Sequence, residues 1–214
     1  EDFTPVKNNH WLKVLSENFD LSVSLYLRRQ DLWLESWYNQ HIKWPWDKNI
    51  SKASPSKFLS LKNNFYWLDY NWLLETIQKY INKEKIKVRL YEKEVINDVK
   101  MDFFNLIDFD INILDLTKVK QNSSLTKCQL DILRKINIIN NNVNVNNANR
   151  TKIIKCIKSL DISECDGSKT IFNQEQRENI IEEYLETNSK TAELIKYMNN
   201  TFFATKVSIM NEFK

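Results

Sequence analysis

Two short segments constrain the fold most. LSVSLYL (21–27) is rich in apolar and β-branched residues and bounded by polar ones, and IKVRLYEKE (86–94) alternates apolar and basic residues through its front half. Both predict strands, the first buried and the second ending at Tyr91. Hydrophobic spacing between them predicts a helix over 31–43, opened by Asp31 as its cap and ended by Pro45. A second helix is predicted over 66–83, where Trp67, Tyr70, Leu73, Leu74, Ile77 and Ile81 make an i, i+3, i+4 stripe. Residues 44–64 carry two of the three prolines and little periodicity, which predicts a loop. Strand, helix, loop, helix, strand is a crossover unit, so the two strands are expected to be parallel in one sheet.

The flanking segments read as helical. Residues 6–19 place Trp11, Leu12, Val14, Leu15 and Phe19 at helical spacing, and 95–110 predicts a short helix with Phe103, Phe104, Leu106 and Ile107 inward. A helix over 124–139 begins at a Ser or Thr cap, 151–160 is helical, and 173–198 is strongly helical with Asn173 and Gln176 in a capping box. The Asn-rich stretch 140–150 reads as an extended loop with a weak strand as the alternative, and 163–172 as a turn. The expected class is α/β, a parallel sheet flanked by helices, over 1–110, with a helical part of the same domain over 111–214.

Composition excludes several function classes. A net charge of +3 does not call for a nucleic-acid partner. No apolar run is long enough for a transmembrane helix, and no signal-peptide pattern opens the chain. Cys128, Cys156 and Cys165 are odd in number without CxxC spacing, so free thiols and a reducing, cytoplasmic setting are expected, with no zinc site. His10 and His41 are too few and too far apart for a histidine metal centre, so no metal is expected. The single glycine, Gly167, leaves these residues without a Gly-rich phosphate loop. The chain opens on Glu rather than Met, as a trimmed or partial product would.

The residues with most chemical content follow the first strand. In an open parallel sheet, ligands bind outside the carboxyl ends of the strands. Arg28 and Arg29 occupy such an end, the next helix points its N-terminus there, and a guanidinium offers a planar fork to phosphate oxygens. Ser36 lies eight residues after Arg28, about two helical turns on. The competing reading leaves one arginine snorkelling to solvent and pairs the other with Asp31 or Glu35.

The segment YLRRQDLWLESWYNQHIK resembles the strand and helix of bacterial sulfotransferase-like proteins, which have a P-loop-like fold. LDYNWLLETIQKY (68–80) with IKVRLYEKE is similar to the next helix and strand of that group, and 172–203 to its C-terminal helix, with Asn188 and Ala192 in place. The resemblance covers most of the chain and is weak over 110–165. It implies that Arg28 and Ser36 hold the 3′-phosphate of the sulfate donor 3′-phosphoadenylyl sulfate (PAPS), with Arg29 assisting or pairing with an acid. The implied reaction is in-line sulfuryl transfer to a hydroxyl, with a bacterial surface glycan as a candidate acceptor. The Gly/Ser/Lys/Thr loop that holds the 5′-phosphosulfate in that group is missing, so it is expected to lie upstream unless the chain is a degenerate relative.

Weaker candidates complete the set. Glu1 stands near where an acid follows the second strand in the resembling proteins, and His41 is a base facing an acceptor cleft or a helix-surface residue. Tyr91, Glu92 and Glu94 resemble that group's strand end or form an aromatic plug, with the acids facing solvent or pairing with Arg28 or Arg29. Trp33, Trp37, Trp44 and Trp46 with Tyr38 line a sugar cleft or serve as core, Trp44 and Trp46 being the better cleft candidates. Lys43, Lys48 and Lys52 attract an anionic acceptor or form a solvated charge run. Two rivals to the enzyme stand: a non-catalytic module binding a nucleotide, a glycan or a protein, and a domain attached to a glycosyltransferase.

Overall fold

The computed structural model describes residues 10–92, 95–109, 124–140, 147–160 and 167–198. In chain order the elements are α1 (His10–Asn18), β1 (Val23–Leu27), α2 (Gln30–Lys43), α3 (Pro55–Leu59), α4 (Tyr70–Gln78), β2 (Ile86–Leu90), α5 (Val99–Leu106), α6 (Lys127–Ile139), α7 (Asn147–Ser159), α8 (Gln174–Glu183) and α9 (Leu185–Met198). Single 3-10 turns lie at Ile50–Lys52, Lys62–Asn64, Tyr66–Leu68 and Lys83–Lys85. The architecture is mixed α/β, mostly helical with a small two-stranded parallel sheet. From residue 124 on, the described residues contain helices and connections and no strand. Among the described residues no helix is long and apolar enough to cross a membrane.

The chain divides into two compact units that interleave in sequence. One takes the described residues of 1–30, 65–113 and 180–214, and the other those of 31–64 and 114–179. The expected division at 110/111 lies outside the described residues.

In the first unit the strands pair in the expected parallel sense, with Val23 opposite Ile86, Leu25 opposite Val88 and Leu27 opposite Leu90. These are the alternate residues of each strand, so they share one face. That face joins Leu12 of α1, Leu73, Leu74 and Ile77 of α4, and Ile195 of α9 in one core. The other face carries Ser24 opposite Lys87 and Tyr26 opposite Arg89. β1 is therefore apolar on one face only, which corrects the expectation of a fully buried strand. Helix α4 starts at Tyr70 because the Asp69 carboxylate accepts the Trp72 N–H, and residues 66–68 ahead of it form a 3-10 turn. In α5 only Leu106 is buried, while Phe103 and Ile107 are exposed against expectation.

In the second unit, residues 44–64 are not the structureless loop their composition predicts. Asp47 accepts from the Asn49 and Ile50 N–H groups, Ser54 caps α3 by accepting from Lys57 N–H, and Ile50 and Phe58 are buried. Asp31 does not cap α2. The helix already begins at Gln30, and the fully buried Asp31 carboxylate accepts from Arg177 Nη1 at 2.6 Å, while Glu35 accepts from Arg177 Nη2 at 2.5 Å. Burial works against the Arg177 charge, and the bonds it donates to Glu35 and Asp31 outweigh that, so its pKa is raised. The predicted capping box forms at Asn173 with Gln176, and the Ser or Thr cap expected for α6 is Thr126, which the structure completes into a capping box with Gln129. Asn147–Arg150 belong to the first turn of α7 rather than to an extended loop, and 141–146 lie outside the described residues. Cys128 is disulfide-bonded and Cys156 is an exposed free thiol. This corrects the expectation of three free thiols: sequence spacing does not reveal which sulfurs a fold brings within bonding distance. A disulfide is at home in an oxidising compartment, so the argument for a reducing one loses its ground.

Arg150 closes the carbonyl end of α2. It is 3% exposed and donates from Nη2 to the Ile42 carbonyl at 2.6 Å and to Asn137 Oδ1 at 2.9 Å, and from Nε to the Lys43 carbonyl at 2.5 Å. Burial pushes its pKa down to about 10, and the negative end of the helix compensates the charge that remains at neutral pH. Replacing Arg150 with Met is expected to destabilise the chain by about 3 kcal/mol, read as a lower urea midpoint. Arg150→Lys, which lacks the fork, should recover little of the loss.

Candidate functional site

The parallel register sets what stands at the carboxyl ends of the strands. The ladder runs one step past Leu27 and Leu90, with the Tyr91 N–H donating to the Leu27 carbonyl at 2.6 Å. Arg28 and Tyr91 are thus neighbours, and the Arg28 guanidinium carbon lies 5.8 Å from the centroid of the exposed Tyr91 ring. Arg28 engages no carboxylate among the described residues, whereas its backbone carbonyl is fixed by the Tyr70 hydroxyl of α4, which donates to it. Its main chain is held while its side chain rests on an aromatic face. Arg29 follows, half-buried.

Gln30 anchors the same end. It is 2% exposed, donates from Nε2 to Asn188 Oδ1 at 2.6 Å and accepts from Asn188 Nδ2 at 3.1 Å. Its Nε2 also approaches the Leu68 carbonyl at 3.3 Å. This reciprocal amide pair ties α9 to the residue after the arginines. Sequence reasoning missed the parts of Gln30 and Tyr70. The signal for Gln30 was a polar residue in a run otherwise destined for burial, but periodicity cannot name the Asn that satisfies it.

The polar face of the sheet holds a separate network. Tyr26 donates to Asp102 Oδ2 at 2.6 Å, and Arg89 Nε approaches the same oxygen at 3.7 Å. Burial first, then the bond to Asp102, raises the Tyr26 pKa. A cavity of ≈ 330 Å³ opens beside it, lined by Lys87, Arg89, Asp102, Asn105 and Asp108 among others. Lys87 donates to the Leu106 carbonyl at 2.7 Å, so the two cations of that wall are already engaged by protein groups.

The remaining sequence candidates belong to the second unit or lie outside the described residues. Ser36 is exposed on α2. Asp31 and Glu35, offered as partners for the arginine pair, are instead held by Arg177. His41 is not a helix-surface residue: it is buried, edge-on to Trp37 and to Trp46. Tyr38 is core and donates to the Ala53 carbonyl at 2.8 Å; burial raises its pKa to about 12. Trp46 is exposed and Trp44 half-buried. Lys43 departs from the solvated charge run, since it is buried and its pKa is lowered by burial and by nearby Lys158, while Lys48 is exposed. Glu1 and Glu94 lie outside the described residues. Among the described residues, no group of three or more His, Cys, Asp or Glu side chains could hold a metal ion.

No protein-family model matches the chain, and no solved structure matches it. A curated protein of Archaeoglobus fulgidus, described as an uncharacterized protein, is 30% identical over 167 residues. The match takes in 77% of this chain, which spans 43% of the length of that relative.

His41 supplies a pH prediction. Burial holds its pKa below the ordinary 6.5, with Asp47 opposing. As pH falls through 6.5 the unfolded chain binds a proton that the folded one resists, so stability is full above that pH and is lost below it. Urea melts at pH 7.5 and 5.5 should show this fall, and it should shrink in His41→Phe.

Proposed function

We propose that the carboxyl end of the β1–β2 pair binds the 3′-phosphate of PAPS, in a sulfotransferase-like protein that moves the sulfuryl group to a hydroxyl acceptor. The observation that carries the reading is Arg28: its backbone is fixed by Tyr70, its guanidinium lies on Tyr91, and no carboxylate claims it among the described residues. A planar cation so held can meet a phosphate with two parallel hydrogen bonds and no ion pair to break. The parallel strand pair with its helical crossover supports the finer assignment to the P-loop-like sulfotransferase fold, whose ligands sit at this end of the sheet. Arg29 adds positive charge there. A glycan acceptor enters through the resemblance.

PAPS would supply the activated sulfuryl group. The part of Arg28 is to bind and orient the donor through its 3′-phosphate. A second reading, a binding module without transfer, is favoured by the single glycine, which gives these residues no loop of the kind that cradles a phosphosulfate.

Calorimetric titration with adenosine 3′,5′-bisphosphate tests the reading. Binding in the micromolar-to-millimolar range is expected, weakened about tenfold or more in Arg28→Ala and to a similar degree when 5′-AMP replaces the bisphosphate. Equal binding by wild type and Arg28→Ala removes Arg28 from the site, and no heat with the wild type removes the 3′-phosphate reading.

A further inference from the structure

The second unit buries an imidazole that bonds to none of the described residues. His41 is 5% exposed, and neither Nδ1 nor Nε2 has a hydrogen-bond partner among the described residues. Buried polar groups are paired in the great majority of cases, so an orphan of this kind asks for an occupant. Its surroundings are aromatic. Trp37 stands 4.7 Å away at 76°, Trp46 5.6 Å away at 83°, and Trp33 stacks on Trp37 at 5.1 Å. The outermost ring, Trp46, is 60% exposed. Its backbone is pinned on both sides: the Trp46 N–H donates to the Trp44 carbonyl at 2.7 Å, and Asp47 accepts from Asn49 and Ile50. The indole can therefore swing about its side-chain torsions without unfolding the turn that carries it.

We propose that His41, Trp37 and Trp46 form a binding site for a neutral polyhydroxylated ring, a pyranose, with Trp46 as its cover. A neutral imidazole presents one N–H donor and one lone pair, and a hydroxyl answers both. The indoles supply apolar faces for the C–H side of such a ring, in the usual mixture of aromatic lining and a few aimed polar groups. Burial disfavours the imidazolium, and Asp47 is the charged group felt at the ring, so an anionic ligand is not called for. The site uses residues of the second unit alone and does not rest on the nucleotide reading.

The whole chain, labelled with 15N-histidine, is titrated with methyl β-glucopyranoside and methyl β-galactopyranoside into the high millimolar range. At least one glycoside should shift the His41 ring nitrogens and change Trp46 fluorescence along one isotherm. Binding should fall about tenfold or more in His41→Phe, which keeps the aromatic packing and loses both nitrogens. Trp46→Phe should weaken binding less, and Arg28→Ala should leave it unchanged. The proposal is overturned if neither glycoside moves the His41 signals, if His41→Phe binds as tightly as the wild type, or if adenosine shifts His41 where the glycosides do not. A persistent water on the His41 nitrogens, undisturbed by either glycoside, overturns it equally.

Discussion

The candidate nucleotide site depends on the parallel pairing of β1 with β2. Because Leu27 is opposite Leu90, the next residues along the two strands, Arg28 and Tyr91, meet at one end of the sheet. A one-residue slip would turn Val23, Leu25 and Leu27 away from the core and set Ser24 and Tyr26 against Leu74 and Ile195. The hydrophobic face fixes the register, and the register delivers the arginine to its aromatic platform. Tyr70 and the Gln30–Asn188 pair then hold the backbone at that end from two helices, α4 and α9. A two-stranded sheet is marginal alone, and those helices give it the packing it needs.

The second unit is organised by buried charge. Arg177 ties the first turns of α2 to the segment around Phe172 through Asp31 and Glu35, and Glu35 also accepts from the Ile171 N–H at 2.5 Å. Arg150 closes the other end of the same helix on its free carbonyls. Each guanidinium satisfies several groups that would otherwise be buried unpaired, so loss of either leaves more than one orphan. His41 lies on this doubly fastened helix and is the one imidazole there left unsatisfied among the described residues.

Much of the first unit was legible in the sequence. Both strands and their parallel crossover were expected, although the alternation L-S-V-S-L-Y-L was read as a buried strand rather than a two-faced one. The capping box at Asn173 and the hydroxyl cap of α6 were readable because cap and helix lie within one turn. What stayed hidden depends on partners distant in sequence. Asp31 looks like a cap until Arg177, 146 residues away, claims it. His41 looks exposed by helical spacing, but α2 is enclosed on several sides, with Leu34, Tyr38 and Ile42 buried along one stripe and Asn39, His41 and Lys43 buried beyond it. Residues 44–64 lack periodicity because their turns are too short to show any, and tertiary burial of Ile50 and Phe58 holds them. Nor does the spacing of three cysteines reveal that Cys128 is bonded.

The central claim is that the Arg28 guanidinium, resting on Tyr91, is the group that receives a phosphate. The Arg28 Nε–H resonance reports this directly. It starts beside an aromatic ring, whose current shields it, and a phosphate oxygen would deshield it. On titration with adenosine 3′,5′-bisphosphate the signal is predicted to move downfield and saturate. A signal that stays in place while the ligand binds elsewhere on the chain would contradict the account.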